Sequence, residues 1–118
     1  MRELRDAIFA LLFSRARREP LPPGVERRVN AALAAVPLVP QLRDGTVELV
    51  APDGAGQQLV ERVRAAASAL ELLPSPALAY CDAPSCGQFF MRSRRDQRWC
   101  GPACGTRTRV ARHASRKR

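Results

Sequence analysis

The chain has 118 residues, and its 20 lysines and arginines against 11 acidic residues give a net charge of +9. This length suits one domain, or one small domain followed by a short module. No apolar run approaches the roughly 20 residues that span a bilayer, and the charged start does not resemble a secretory signal. We therefore expect a cytoplasmic protein with reduced cysteines and no membrane partner.

Apolar residues at helical spacing predict three helices in the first two thirds of the chain. The predicted helices cover residues 2–18, 25–36 and 55–73. In the first, Leu4, Ile8 and Leu11 recur on one face, as in an amphipathic helix. Prolines near residues 20–23, 37–40 and 74–76 end the three patterns, because proline interrupts a helix.

A β-hairpin is predicted between the second and third helices. Asp44-Gly45 is typical of a two-residue turn that needs positive φ at both positions. The arms would be residues 39–43 and Thr46–Val50. Residues 1–76 are therefore predicted to form a mostly helical N-terminal domain with a hairpin, and the fold class is α+β.

The first 80 residues offer no catalytic chemistry. They contain no histidine, no cysteine and no phosphate-binding glycine loop, so we expect that the protein is not an enzyme and has no catalytic residues. Their hairpin edges and apolar helices would suit a homodimer, which the sequence leaves open.

Four cysteines, the full complement of the chain, occur as two close pairs in the last third: Cys81, Cys86, Cys100 and Cys104. A tetrahedral Zn²⁺ needs four soft ligands that converge from two short loops, and this spacing supplies them. Two disulfides are the alternative, and the expected cytoplasmic location disfavours them. Because four thiolates would close the coordination sphere, we expect one structural zinc ion.

Residues 77–118 are predicted to form a small treble-clef-like zinc finger. Residues 82–85 would form a tight loop, and residues 88–91 and 97–99 the arms of a hairpin. Pro102 favours the first turn of a helix, which would place Cys104 close to the helix N-terminus. On this helix the side with Ala103, Val110 and Ala114 is predicted to face the zinc core.

The positive charge is concentrated in this finger. Residues 1–80 carry ten basic and nine acidic side chains, whereas residues 81–118 carry ten and two, which gives net charges of +1 and +8. Such an imbalance indicates a polyanionic partner, and DNA is the first candidate. The predicted nucleic-acid contacts are Arg94, Arg95, Arg98, Arg109, Arg112 and Arg116. Arg107 falls on the inward side, and we interpret it, with Trp99, as a structural brace.

The finger resembles the CGNR zinc-finger family. The resemblance rests on Phe89-Phe90, Ser93-Arg94-Arg95, Arg98-Trp99-Cys100 and Cys104-Gly105-Thr106-Arg107. It implies a zinc site on the four cysteines and a DNA-binding role in a bacterial transcription regulator. The alternative is a zinc-stabilised interaction module that binds RNA or an acidic protein.

Residues 1–80 resemble the N-terminal α/β domain of stress-induced bacterial transcription regulators, the usual partner of that finger. The segments Leu4–Ile8 and Val29–Leu33 carry this looser likeness. Three departures are visible: Thr106 stands where the family has asparagine, the second cysteine pair is one residue closer, and the first part of the family domain is missing. The chain is therefore interpreted as a shortened member or a fragment.

Overall fold

The computed structural model describes residues 2–117, which contain four helices and two two-stranded antiparallel sheets. The predicted α+β class is confirmed. In chain order the elements are α1 (Arg2–Ala16), α2 (Val25–Ala34), β1 (Val39–Arg43), β2 (Thr46–Val50), α3 (Gln57–Leu70), β3 (Leu78–Tyr80), β4 (Phe89–Met91) and α4 (Pro102–Arg116). Within residues 2–117, no helix combines the length and the apolar character that a membrane span requires.

The described residues form two compact units. The first contains residues 2–12 and 21–73, and the second contains residues 13–20 and 74–117. The last turn of α1 therefore belongs with the cysteine-bearing unit, although residues 13–20 lie far from it in the sequence.

The first unit has an apolar core supplied by one face of each of its helices. Ile8 on α1, Val29 on α2 and Val63 on α3 are 8%, 2% and 3% exposed. Each burial stabilises the unit by removing apolar surface from water, at about 1.5–3 kcal/mol for a large aliphatic side chain. Gly24, with φ of 78°, precedes α2 in a left-handed conformation that suits glycine.

The β1–β2 hairpin has the predicted turn. Asp44 and Gly45 have φ of 51° and 78°, which is the positive pair that a two-residue turn requires. The strands pair in the register that places Arg43 opposite Thr46 and Gln41 opposite Glu48. On that face of the ribbon, Arg43 and Glu48 form an exposed ion pair with an N–O distance of 3.5 Å.

The opposite face of the ribbon is apolar and exposed. Alternation along the strands puts four side chains there: Pro40, Leu42, Val47 and Leu49. Leu42 is 76% exposed and Val47 is 66% exposed. The outward carbonyl of Leu49 accepts a hydrogen bond from the Arg64 guanidinium of α3.

In the second unit, β4 pairs with β3, and the predicted hairpin between residues 88–91 and 97–99 is wrong. Tyr80 lies opposite Phe89, and Leu78 lies opposite Met91. The chain reverses between the strands in a tight loop, where Ser85 and Gly87 have φ of 63° and 67°. The partner of β4 is therefore β3, and residues 97–99 lie outside this two-stranded sheet.

Aromatic rings join the α1 segment of the second unit to this hairpin. The ring centroids of Phe13 and Tyr80 are 4.9 Å apart, and those of Tyr80 and Phe89 are 5.3 Å apart. The Arg17 guanidinium lies 5.0 Å from the centroid of Phe13. A methyl group at Gly87 would lie 3.1 Å from the Tyr80 hydroxyl oxygen, so glycine lets this ring approach the loop.

Candidate metal centre

The two cysteine pairs are brought together by the β3–β4 loop and the start of α4. Cys81 follows β3, and Cys86 lies in the loop that leads to β4. Cys100 precedes α4, and Cys104 lies in its first turn. All four Sγ atoms lie within 4.8 Å of one another.

This geometry fits a tetrahedral metal site. Zn–S bonds of about 2.3 Å place tetrahedral sulfurs about 3.8 Å apart. The Sγ atom of Cys100 lies 3.6 Å from that of Cys86 and 3.5 Å from that of Cys104. All four are free cysteines and not two bonded pairs. Four soft donors of this kind favour Zn²⁺ over hard cations such as Mg²⁺.

Backbone N–H groups surround the most buried thiol. Burial raises the pKa of Cys81, but N–H groups of Cys100 and Ala83 and the thiols of Cys86 and Cys100 lower it, to about 7 overall. The Cys100 N–H group lies 3.5 Å from the Cys81 Sγ atom. The site therefore favours a thiolate at Cys81, which is the form that binds a metal.

Two of the other thiols hold their protons more strongly than an ordinary cysteine. Hydrogen bonding with the Cys104 thiol, joined by Cys86, raises the pKa of Cys100 to about 12. The pKa of Cys104 is also raised: the Cys100 hydrogen bond lowers it, but Cys86, burial and the Cys81 charge outweigh that effect. Without a metal the cluster retains thiol protons, so metal binding must release them.

The ligand cluster is also the core of the second unit's finger. Cys81, Ala83 and Cys104 are buried, and the rings of Phe90 and Trp99 pack against them. A core of this size is too small to stabilise a fold by itself, since modules of about forty residues usually need a metal or disulfides.

Trp99 is held between an arginine and the helix backbone. The Arg98 guanidinium lies over its ring, 5.6 Å from the centroid. A methyl group at Gly105 would lie 3.1 Å from Cε3 of Trp99, so the missing side chain allows the ring to lie against α4. Gly105, which directly follows a ligand, thus allows the close approach of this ring.

The predicted inward face of α4 is wrong. Ala103, Val110 and Ala114 are exposed, and Val110 is 63% exposed. The buried residues of the helix are Cys104 and Gly105. The part of α4 that faces the core therefore contains a ligand and a glycine, and the apolar side chains further along the helix do not face it.

Two polar residues after the ligand make specific contacts. Nη1 of Arg107 donates a 2.7 Å hydrogen bond to the carbonyl of Pro84, in the loop between the first two cysteines. Nη2 of Arg109 donates to the hydroxyl oxygen of Thr106 at 3.3 Å. Arg107 therefore ties α4 to the ligand loop, and Thr106 helps to orient Arg109.

The structure gathers three of the six predicted nucleic-acid contacts. A cleft, which we call the basic cleft, is lined by Arg94, Arg98 and Arg109 together with Asp96, Trp99 and Gly105. Arg95, Arg112 and Arg116 are exposed outside its lining. Among the described residues, none of these six arginines forms an ion pair.

Gln97 organises the wall of the basic cleft, and sequence reasoning missed it. Its Oε1 atom accepts from the Ser93 N–H at 2.9 Å, and its Nε2 atom donates to the Trp99 carbonyl at 2.9 Å. The Gln97 carbonyl accepts from Nε of Arg92 at 3.1 Å. A lone glutamine in a basic turn has no distinctive spacing, so the sequence carried no signal for this role.

Comparison with known families gives one match for each of two stretches of the sequence. Residues 78–117 match the CGNR zinc finger. Residues 1–76 match the family described as "Putative stress-induced transcription regulator". Among curated proteins, none matches the chain.

Proposed function

Because the chain belongs to the stress-induced transcription regulator family and carries a CGNR zinc finger, we propose that it regulates transcription by binding DNA through that finger. The metal-held unit would supply the contact surface. The first unit would respond to a signal or mediate self-association, and the protein would act in the cytoplasm, on the nucleoid.

The proposed metal is one structural zinc ion held by Cys81, Cys86, Cys100 and Cys104. Bound zinc would fix the β3–β4 loop to the start of α4 and supply folding free energy. Four thiolate ligands leave no open coordination position for a substrate or a catalytic water. We therefore propose a protein without enzymatic activity.

The main support for DNA binding is a set of exposed arginines in the second unit that form no ion pair with an acidic residue among residues 2–117. Residues 81–118 have a net charge of +8, and the six candidate contacts form no ion pair among residues 2–117. Exposed guanidinium groups without acidic partners favour phosphate, with which they form charge-assisted, often bidentate hydrogen bonds. About six phosphate contacts predict that log K falls with log salt at a slope near −5.

A binding experiment with zinc-loaded protein tests this proposal. Fluorescence anisotropy with a labelled random-sequence duplex, at salt concentrations from 50 to 300 mM, should give that slope, and selection from a duplex library should enrich a site. An RNA hairpin and polyglutamate are the competitors. Absence of duplex binding at low salt would exclude the proposal. Preferential binding of RNA or polyglutamate would favour the interaction module instead.

A further inference from the structure

We propose that the basic cleft binds one backbone phosphate of the nucleic acid, an inference that rests on the proposed DNA-binding function. The six arginines would then have unequal roles. Arg94, Arg98 and Arg109 would hold a phosphate at a defined position, whereas Arg95, Arg112 and Arg116 would neutralise one phosphate each without a defined position, so the slope of log K against log salt would be about −4 rather than −5.

The cleft joins cations from two segments that are separate in the sequence. Arg94 and Arg98 come from the turn before Cys100, and Arg109 comes from α4. Asp96 is the acidic residue of the lining, and it forms no ion pair within the described part of the chain. The cleft therefore has an excess of positive charge that an anion can neutralise.

Two of the three guanidinium groups are already oriented by neighbouring side chains. Arg98 lies over the Trp99 ring at 5.6 Å, and Arg109 donates to the Thr106 hydroxyl at 3.3 Å. A stacked guanidinium keeps its edge N–H groups available for an anion. Prior ordering also lowers the conformational entropy lost on binding.

The same contacts argue against a nucleobase as the occupant. Arg98 lies over the Trp99 ring, and the backbone of Gly105 lies close to the indole. A base that stacked on the face of Trp99 covered by Arg98 would have to displace that guanidinium. A carboxylate and a backbone phosphate each present one negative charge on two oxygens, so polyglutamate is the competitor that distinguishes the two occupants.

Two matched double variants separate the cleft from general charge. R94A/R109A removes two arginines that line the cleft. R95A/R112A is the matched control: Arg95 lies in the same turn as Arg94, Arg112 lies in the same helix as Arg109, and neither lines the cleft. Both variants lose two positive charges from exposed positions. Duplex binding is measured by anisotropy as a function of salt, and zinc content verifies that each finger is intact.

We expect R94A/R109A to bind about tenfold more weakly than R95A/R112A at the same salt concentration, because it loses charge-assisted hydrogen bonds to a phosphate at a defined position. Equal affinities of the two variants would overturn the cleft proposal while leaving DNA binding intact. Absence of binding by the unaltered protein would instead refute the proposed function.

Trp99 gives a second, direct measurement, because it is the single tryptophan of the chain and lines the cleft. Its emission should change on addition of duplex DNA and of inorganic phosphate, but not of chloride at equal ionic strength. R95A/R112A should keep both responses and R94A/R109A should lose them. A response to DNA without one to phosphate, or an equal response to polyglutamate, would overturn the assignment.

Discussion

The two compact units are stabilised by different means. The first buries nine apolar side chains from its helices and their connections, among them Leu11, Val29 and Val63. The finger of the second buries two cysteines and an alanine at its centre, with two aromatic rings against them, and in addition buries Leu78 and Ala79 of β3. In the first unit, stability is distributed over many contacts. In the finger it depends on one site, so single changes should have very different effects in the two.

Loss of the metal should have the largest effect and should be confined to the second unit. A chelator, or Cys100→Ser, should unfold the finger, since structural zinc supplies roughly 10–16 kcal/mol of binding free energy in comparable modules. Trp99 emission should shift to that of exposed indole, while the helical circular dichroism of α2 and α3 persists. Ser115→Ala, at an exposed position of α4, is the control. A stoichiometric metal and a folded finger in Cys100→Ser would refute the ligand assignment.

Acid should have the second largest effect: it should weaken zinc binding and so destabilise the finger, without destabilising the first unit. The raised pKa values of Cys100 and Cys104 mean that the metal-free site holds protons there, which zinc must displace. Affinity therefore falls as pH falls. Release of at least two protons predicts about a hundredfold loss per pH unit between pH 8 and pH 6. Competition with a zinc-sensitive dye at each pH measures the zinc affinity. An affinity that did not change with pH would contradict the assignment of protons to Cys100 and Cys104 in the metal-free site.

Truncation in the apolar core should have a smaller effect, on the first unit. Leu11 is 4% exposed, so Leu11→Ala should cost about 2–5 kcal/mol in the free energy of unfolding, from lost burial and a residual cavity. Leu42→Ala removes the same atoms from a side chain that is 76% exposed and should change stability by less than about 0.5 kcal/mol. Urea denaturation measures both. Zinc loss in Leu11→Ala would show that the two kinds of stability are not separate.

Gly105→Ala should have the smallest effect on stability and a distinct effect on the cleft. The new methyl group would lie 3.1 Å from Trp99, which opposes the gain of about 1 kcal/mol for replacing glycine by alanine in a helix. We expect a net change within about 1 kcal/mol, but a shifted Trp99 emission. Gly101→Ala, where an added methyl group meets nothing within 4 Å, should leave the emission unchanged. An unaltered spectrum in Gly105→Ala would contradict the close packing of the ring.

The elements of the first unit could be predicted because local rules determine them. Helical periodicity located α1, α2 and α3, and Asp44-Gly45 located the hairpin turn. The helices end up to three residues earlier than predicted, since α3 stops at Leu70 and not at residue 73. Apolar spacing does not distinguish a last helical turn from the tighter turn that follows it.

The finger was harder to predict because non-local contacts decide it. The convergence of the cysteines could be expected from their spacing alone, since paired soft ligands have few other arrangements. The strand at Leu78–Tyr80 has three residues and follows a proline-rich boundary, so no alternating pattern marked it. The orientation of α4 was predicted wrongly because periodicity places apolar residues such as Val110 toward the core. In the structure the residues of α4 that face the core are Cys104 and Gly105.

The β1–β2 ribbon also limits how copies of the protein can associate. In a two-residue hairpin of this register, the backbone groups of Pro40 and Leu49 point away from the partner strand. Proline has no N–H to offer a further strand, and Arg64 already occupies the Leu49 carbonyl. Neither edge therefore presents an unbroken ladder of donors and acceptors. The exposed apolar face can contact another surface, but the interruptions at Pro40 and Leu49 disfavour fibril-like growth of this sheet by strand addition.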